Sequence, residues 1–216
     1  MLRRLILSGG ASSLIAATVA LTAVAAQPPH IPRALADAGE HAENLYDAAK
    51  ANDWRTAEHR LQALEGDVAR LRADTATSAA ARSLADELAE LRQSVPKHQR
   101  QTTMAEANEI TLTVANLTEP YAPKIPVEVT RLDYYGRELE LWSETGTAPR
   151  LERAVQGLRR EWDHVHAPVE ARSPKVANRF DALVARVERA KGAAELHQLS
   201  QEELDEVDEL EGVFEH

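Results

Sequence analysis

Residues 54–71 read Trp-Arg-Thr-Ala-Glu-His-Arg-Leu-Gln-Ala-Leu-Glu-Gly-Asp-Val-Ala-Arg-Leu. Their apolar members, Trp54, Ala57, Leu61, Leu64, Val68 and Leu71, recur at alternating steps of three and four. That spacing lays one apolar stripe along an α-helix and gives nothing coherent on a strand. The polar residues between them include Arg55, Glu58, Arg60, Glu65 and Arg70, a solvated opposite face. Such a helix must bury its stripe against other helices.

The same rhythm occupies the rest of the chain. Upstream stand Leu35, Ala38, Ala42, Leu45 and Ala49; downstream come Ala81, Leu84, Leu88, Leu91 and Val95, then Met104, Ala107, Ile110, Val114 and Leu117. After a break follow Val129, Leu132, Tyr135, Leu139 and Trp142, then Leu151, Val155, Leu158, Trp162 and Val165. Val176, Phe180, Leu183 and Val187, and finally Leu204, Val207, Leu210 and Phe214, complete eight stripes. Asp53, Ser173 (before Pro174) and Ser200 are placed as N-caps, and Ser200-x-x-Glu203 as a capping box. Gly146 and Gly192 mark helix ends. Ile110-Thr111-Leu112-Thr113-Val114 alternates like a strand, but a strand without a partner is read as helix. The expected fold is all-α, an up-and-down helical bundle.

The break between the fourth and fifth stripes is Glu119-Pro120-Tyr121-Ala122-Pro123-Lys124-Ile125-Pro126. Three prolines this close cannot lie inside one helix. The expected organisation is a leader over 1–26, a helical unit over 27–118, a proline-rich linker over 119–126 and a second unit over 127–216. The halves overlay at an offset of 96–97, which sets Trp54 on Leu151 and Leu84 on Phe180. Either a duplicated four-helix unit or the chance register of two heptad patterns accounts for that overlay.

Compartment is written at the start of the chain. Arg3 and Arg4 precede an apolar run over Leu14–Val24, and Ala23-x-Ala25 offers the small residues of a signal-peptidase site. The segment reads as a signal peptide cleaved near Ala25 or Ala26, giving a periplasmic or secreted protein. The rival is an uncleaved anchor over 5–26, diluted by Gly9, Gly10, Ser12 and Ser13. No later stretch suggests a membrane span.

Composition excludes several chemistries. The 216 residues contain no cysteine, hence no disulfide, thiolate metal site or thiol nucleophile. The net charge of −10, or −12 without Arg3 and Arg4, argues against a nucleic-acid partner. Seven of these acids fall within residues 202–211, read as the outer face of a final helix. No Gly-x-Ser-x-Gly, phosphate loop or His-Glu-x-x-His occurs, so an enzyme is not expected.

The most unusual passage follows the linker, Thr130-Arg-Leu-Asp-Tyr-Tyr-Gly-Arg-Glu-Leu-Glu-Leu-Trp142. With Tyr121 it holds four of the nine aromatics. Gly136 inside a helical pattern points to close approach of a neighbouring helix or a ligand, and Asp133 can pair with Arg137 one turn on. With Leu132, Tyr135, Leu139 and Trp142 inward, Tyr134, Arg137, Glu138 and Leu141 are expected at the margins. The expected function is a non-catalytic binding or interaction protein without a cofactor. It would engage a ligand or protein partner at Tyr121, Asp133, Tyr134, Arg137, Glu138 and Trp142. The alternative is a divalent-metal binder for copper, zinc or nickel through Glu161, His164 and His166, where Glu161 and His164 share a face at i,i+3. A small hydrolase is a second alternative.

Overall fold

The computed structural model describes residues 30–74 and 77–215. The expected signal peptide lies outside the described residues. Among these, 86% are helical, in eight helices and no strand. They are α1 (Arg33–Lys50), α2 (Trp54–Ala73), α3 (Ser78–Ser94), α4 (Arg100–Thr118), α5 (Val127–Thr145), α6 (Ala148–Arg172), α7 (Pro174–Val187) and α8 (Ala193–Glu215). A single 3-10 turn, Glu119–Tyr121, stands between α4 and α5. No helix among the described residues is long and apolar enough to cross a membrane.

The stripes supply most of the buried residues of their helices. Leu35, Ala38, Ala42, Leu45 and Ala49 are at most 1% exposed, and Ala81, Leu84, Leu88, Leu91 and Val95 at most 2%. Asp53 caps α2 by accepting from the Thr56 N–H, and Ser173 caps α7 by accepting from Val176. Gly146 ends α5 in the left-handed conformation, with φ of 64°. The alternating run at 110–114 is helical within α4. There Thr111 is buried, and its hydroxyl returns to the Ala107 carbonyl at 3.3 Å.

One helix start differs from the expectation. Ser200 does not open α8, which begins at Ala193. Leu196 and Leu199 are buried and carry the stripe backward by two turns. The Ser200 hydroxyl donates to the His197 carbonyl inside the helix, and Glu203 points into the protein instead of back at Ser200. A capping pattern lost here to the burial of two leucines.

Helix α1 packs on α2 and α4, and α3 packs on α2 and α4; likewise α5 packs on α6 and α8, and α7 on α6 and α8. Two apolar cores result, one centred on Leu64, Leu84 and Ile110, the other on Trp162, Phe180 and Leu210. Contact between the halves runs mainly through α4 against α5. Helix α5 serves both cores, since Val129, Leu132 and Leu139 enter the second while Leu141 enters the first. The segment with the three prolines turns the chain between α4 and α5, with Ala122 left-handed at φ 47°.

Candidate functional site

Because α5 is enclosed by α4, α6 and α8, with α1 side chains reaching it as well, its buried surface is far wider than one stripe. Tyr134, Glu138 and Leu141 are therefore not marginal, at 6%, 6% and 0% exposed. Tyr135 and Trp142, expected inside, are only half-buried. A stripe reading assumes one covered face, and α5 has several.

Towards α1 and α8 the polar residues of α5 hold the halves together. Glu140 accepts from Tyr46 Oη at 2.8 Å, pairs with Lys50 Nζ at 2.5 Å, and also accepts from Gln201. Burial alone would raise its pKa, but Lys50, Tyr46 and Gln201 together hold the carboxyl below its ordinary value. Asp133 pairs with Arg137 at 2.8 Å as the spacing predicts, and the guanidinium lies over the Tyr46 ring at 5.0 Å. Gly136 does serve a close approach, by α8. The Glu203 carboxyl rests against it, fully buried, and neither oxygen has a hydrogen-bond partner. Burial first, then the Asp133 charge, pushes Glu203 well above the usual carboxylate range, against a smaller pull from Arg137. Glu43 on α1 is pushed up to about 7, again mainly by burial. This face is a seam, filled by the protein's own side chains.

Towards α4 and α6 the same helix borders open space. Tyr134 Oη donates to Glu109 at 3.0 Å, Trp142 Nε1 donates to Glu138 at 2.8 Å, and Asn108 Nδ2 donates to the Tyr134 carbonyl at 3.1 Å. Two hollows lie beside these bonds. One, of about 320 Å³, is lined by Glu106, Glu109, Trp142 and Arg150; the other, of about 240 Å³, by Tyr134, Tyr135, Arg150, Arg153 and Arg160. Arg150 borders both, its guanidinium 4.8 Å from the Trp142 ring. Arg160 donates to Tyr135 Oη at 2.8 Å and lies over that ring at 5.8 Å. Gly157 makes room, since a Cβ there would stand 2.1 Å from the Tyr135 ring. The result is a groove of two hollows that share Arg150 in their lining, one carrying the carboxylates of α4 and the other the guanidiniums of α6.

Two of those charges lack a direct partner. Glu106 and Arg153 have neither a hydrogen bond nor an ion pair among the described residues. Burial, then the charges of Glu90 and Glu109, raise the Glu106 pKa against a smaller pull from Arg150. A larger hollow of about 530 Å³, between the α5–α6 and α7–α8 turns, is lined mainly by Leu151, Val155, Val187 and Leu196 and brings no opposite charges together.

The expected site residues divide between these surroundings. Tyr134, Glu138 and Trp142 border the groove; Asp133 and Arg137 lie on the α1–α8 seam. Tyr121 is half-buried on the first core, away from both. Glu106, Glu109, Arg150, Arg153 and Arg160 were not expected. Arg150, Arg153, Gly157 and Arg160 follow each other at steps of three, four and three, one face of α6, and that spacing was the available signal. The metal candidates are not brought together. Glu161 is buried against Arg131 and Arg160, His164 is exposed, and His166 turns towards Asp181 of α7 at 3.2 Å. Among the described residues no group of three or more His, Asp or Glu is arranged to hold a metal ion.

The chain matches no protein-family model, no curated protein and no solved structure.

Proposed function

We propose that this chain is an exported, non-catalytic binding protein that holds a small charged ligand in the groove between α4, α5 and α6. One observation carries the reading. Carboxylates and guanidiniums flank a hollow with aromatic walls, yet Glu106 and Arg153 stay unpaired. Side chains that serve only to fasten helices consume each other's charge, as Glu140 and Lys50 do on the opposite side of α5. A few convergent polar groups in a concave, partly aromatic site are what small-ligand recognition requires.

Melting in the presence of a panel of charged small molecules tests this. A ligand at a hundredfold excess over its Kd stabilises by about 2.7 kcal/mol. That is a rise in Tm of roughly 5–10 °C for a chain of this size. The rise is expected in the wild type and lost in Arg153→Glu, an exposed position whose change spares the core. Equal shifts in both proteins would place the ligand elsewhere.

Export is supported by Arg3-Arg4, the apolar run over 14–24 and Ala23-x-Ala25. Mass spectrometry of protein recovered from outside the cytoplasm should find a chain beginning at Ala26 or Gln27. A chain retaining residues 1–25 would replace the cleaved leader with an anchor.

A further inference from the structure

We infer that the groove takes a short-chain zwitterion, with an ammonium at one end, a carboxylate at the other and a spacer between, as in an ω-amino acid or a short peptide. The inference rests on the groove being the binding site and adds the ligand's chemistry.

Charge layout carries it. The α4 end presents Glu106 and Glu109, one turn apart and on one hollow. The α6 end presents Arg153 and Arg160 on the other hollow. Between them Arg150 borders both hollows, and Glu138 borders the second, so the middle of the groove is close to neutral. A ligand that satisfies both ends must therefore carry opposite charges at its two ends.

Each end retains bonding capacity. Glu109 has spent one oxygen on the Tyr134 hydroxyl, and Glu106 has spent neither. An ammonium placed there relieves the repulsion between two neighbouring carboxylates and accepts their partial burial. At the other end Arg160 is partly engaged, by Glu161 and the Tyr135 hydroxyl, whereas the Arg153 fork is free among the described residues. A planar fork of donors suits a carboxylate, which it can bind through two parallel bonds.

The two charged groups of the ligand enter different hollows, so a spacer separates them. The spacer of the inferred ligand passes the Tyr134–Glu109 and Trp142–Glu138 bonds. Ala105 and Trp142 in the first hollow, and Ala154 and Tyr134 in the second, offer it apolar surface.

Calorimetric titration with ε-aminohexanoate and triglycine as zwitterions, adipate as a dianion and hexamethylenediamine as a dication tests the inference. At least one zwitterion should bind the wild type, with adipate and the diamine about tenfold weaker or more, because each presents a like charge to one end. Arg153→Glu should weaken the zwitterion by about tenfold or more and improve the diamine, while Glu106→Lys should weaken it similarly and improve adipate. Arg153→Ala, a milder truncation, should move zwitterion affinity in the same direction if the reversal disturbs folding. Adipate or the diamine binding as tightly as the zwitterions, and responding to Arg153→Glu, would overturn the zwitterion while leaving the groove as the site. No binding by any of the four probes would overturn the inference, and the melting panel would then decide the fate of the groove on its own.

Discussion

Glu203→Met is expected to raise unfolding free energy by about 2 kcal/mol near pH 8 and to change it little near pH 5. The wild-type side chain is fully buried, its two oxygens have no hydrogen-bond partner, and it lies against Gly136. An orphaned carboxyl must either ionise in low dielectric or hold its proton, and both are costly once solvent pH exceeds the ordinary carboxylate value. Its surroundings worsen the choice. Asp133 on α5, Glu43 and Asp47 on α1, and Asp208 and Glu211 on α8 crowd the seam, with Arg137 as their counter-ion.

The sign is fixed by the direction of these shifts. Glu203, Glu43, Asp133 and Glu211 all have raised pKa values, so the folded state binds protons more tightly than the unfolded one. Stability from such groups is complete below the unfolded carboxylate value and is lost as pH rises through the folded one. For Glu43 the loss runs from 4.5 to about 7, and Glu203, held well above the ordinary carboxylate range by burial, loses stability in the same direction as pH rises. Glu140 and Glu144 act oppositely, because their lowered values remove stability only as pH falls below 4.5. Tm of the wild type should therefore peak near about pH 5 and decline towards about pH 8. Denaturant unfolding of both proteins across that range is the measurement. Parallel curves for wild type and Glu203→Met would show that Glu203 does not titrate with folding.

Gly136→Ala should cost about 2 kcal/mol, a fall in Tm of roughly 4–8 °C. An added methyl would stand 1.8 Å from Glu203 Oε2 and 2.9 Å from Leu204 Cδ2, so α8 must shift or the carboxyl must leave its site. Overpacking of this kind costs about 3 kcal/mol, and the better helix propensity of alanine returns about 1. The partner can be shortened to make room. In the double variant Gly136→Ala with Glu203→Ala, the methyl occupies space the carboxyl vacated, and a favourable coupling of about 2 kcal/mol is expected. Gly66→Ala is the control, because its methyl would meet only Arg70 Nη1 at 3.6 Å and should be neutral or mildly stabilising. Equal penalties at positions 66 and 136 would mean that the contact with α8 is not what selects glycine.

These two residues also show where sequence reading ends. The three-and-four spacing made all eight helices legible, because the period of a buried stripe is set by helix geometry alone. That Gly136 needs a close neighbour was legible as well. That the neighbour is Glu203 was not, since the pattern Ser200-x-x-Glu203 is identical in a capping box and in a continuous helix. Only the burial of Leu196 and Leu199 distinguishes the two. The groove was half legible for a similar reason. Tyr134, Glu138 and Trp142 stood out by composition, whereas Arg150, Arg153 and Arg160 gain significance only once α6 lies beside α5 and opposite Glu106 and Glu109. Periodicity tells which face of a helix is covered. It carries no information about which helix covers it.

Helix α5 places Leu141 in the first core and packs Trp142 against both, while Val129, Leu132 and Leu139 belong to the second. A ribosome delivers α1 to α4 first, and their contacts are mostly local and quick to form. Until α5 emerges, the first core lacks the Leu141 side chain and the Trp142 ring that packs against it. The completed first half is therefore a waiting receptor for the segment that begins the second. Synthesis order and packing order interlock at one turn of α5.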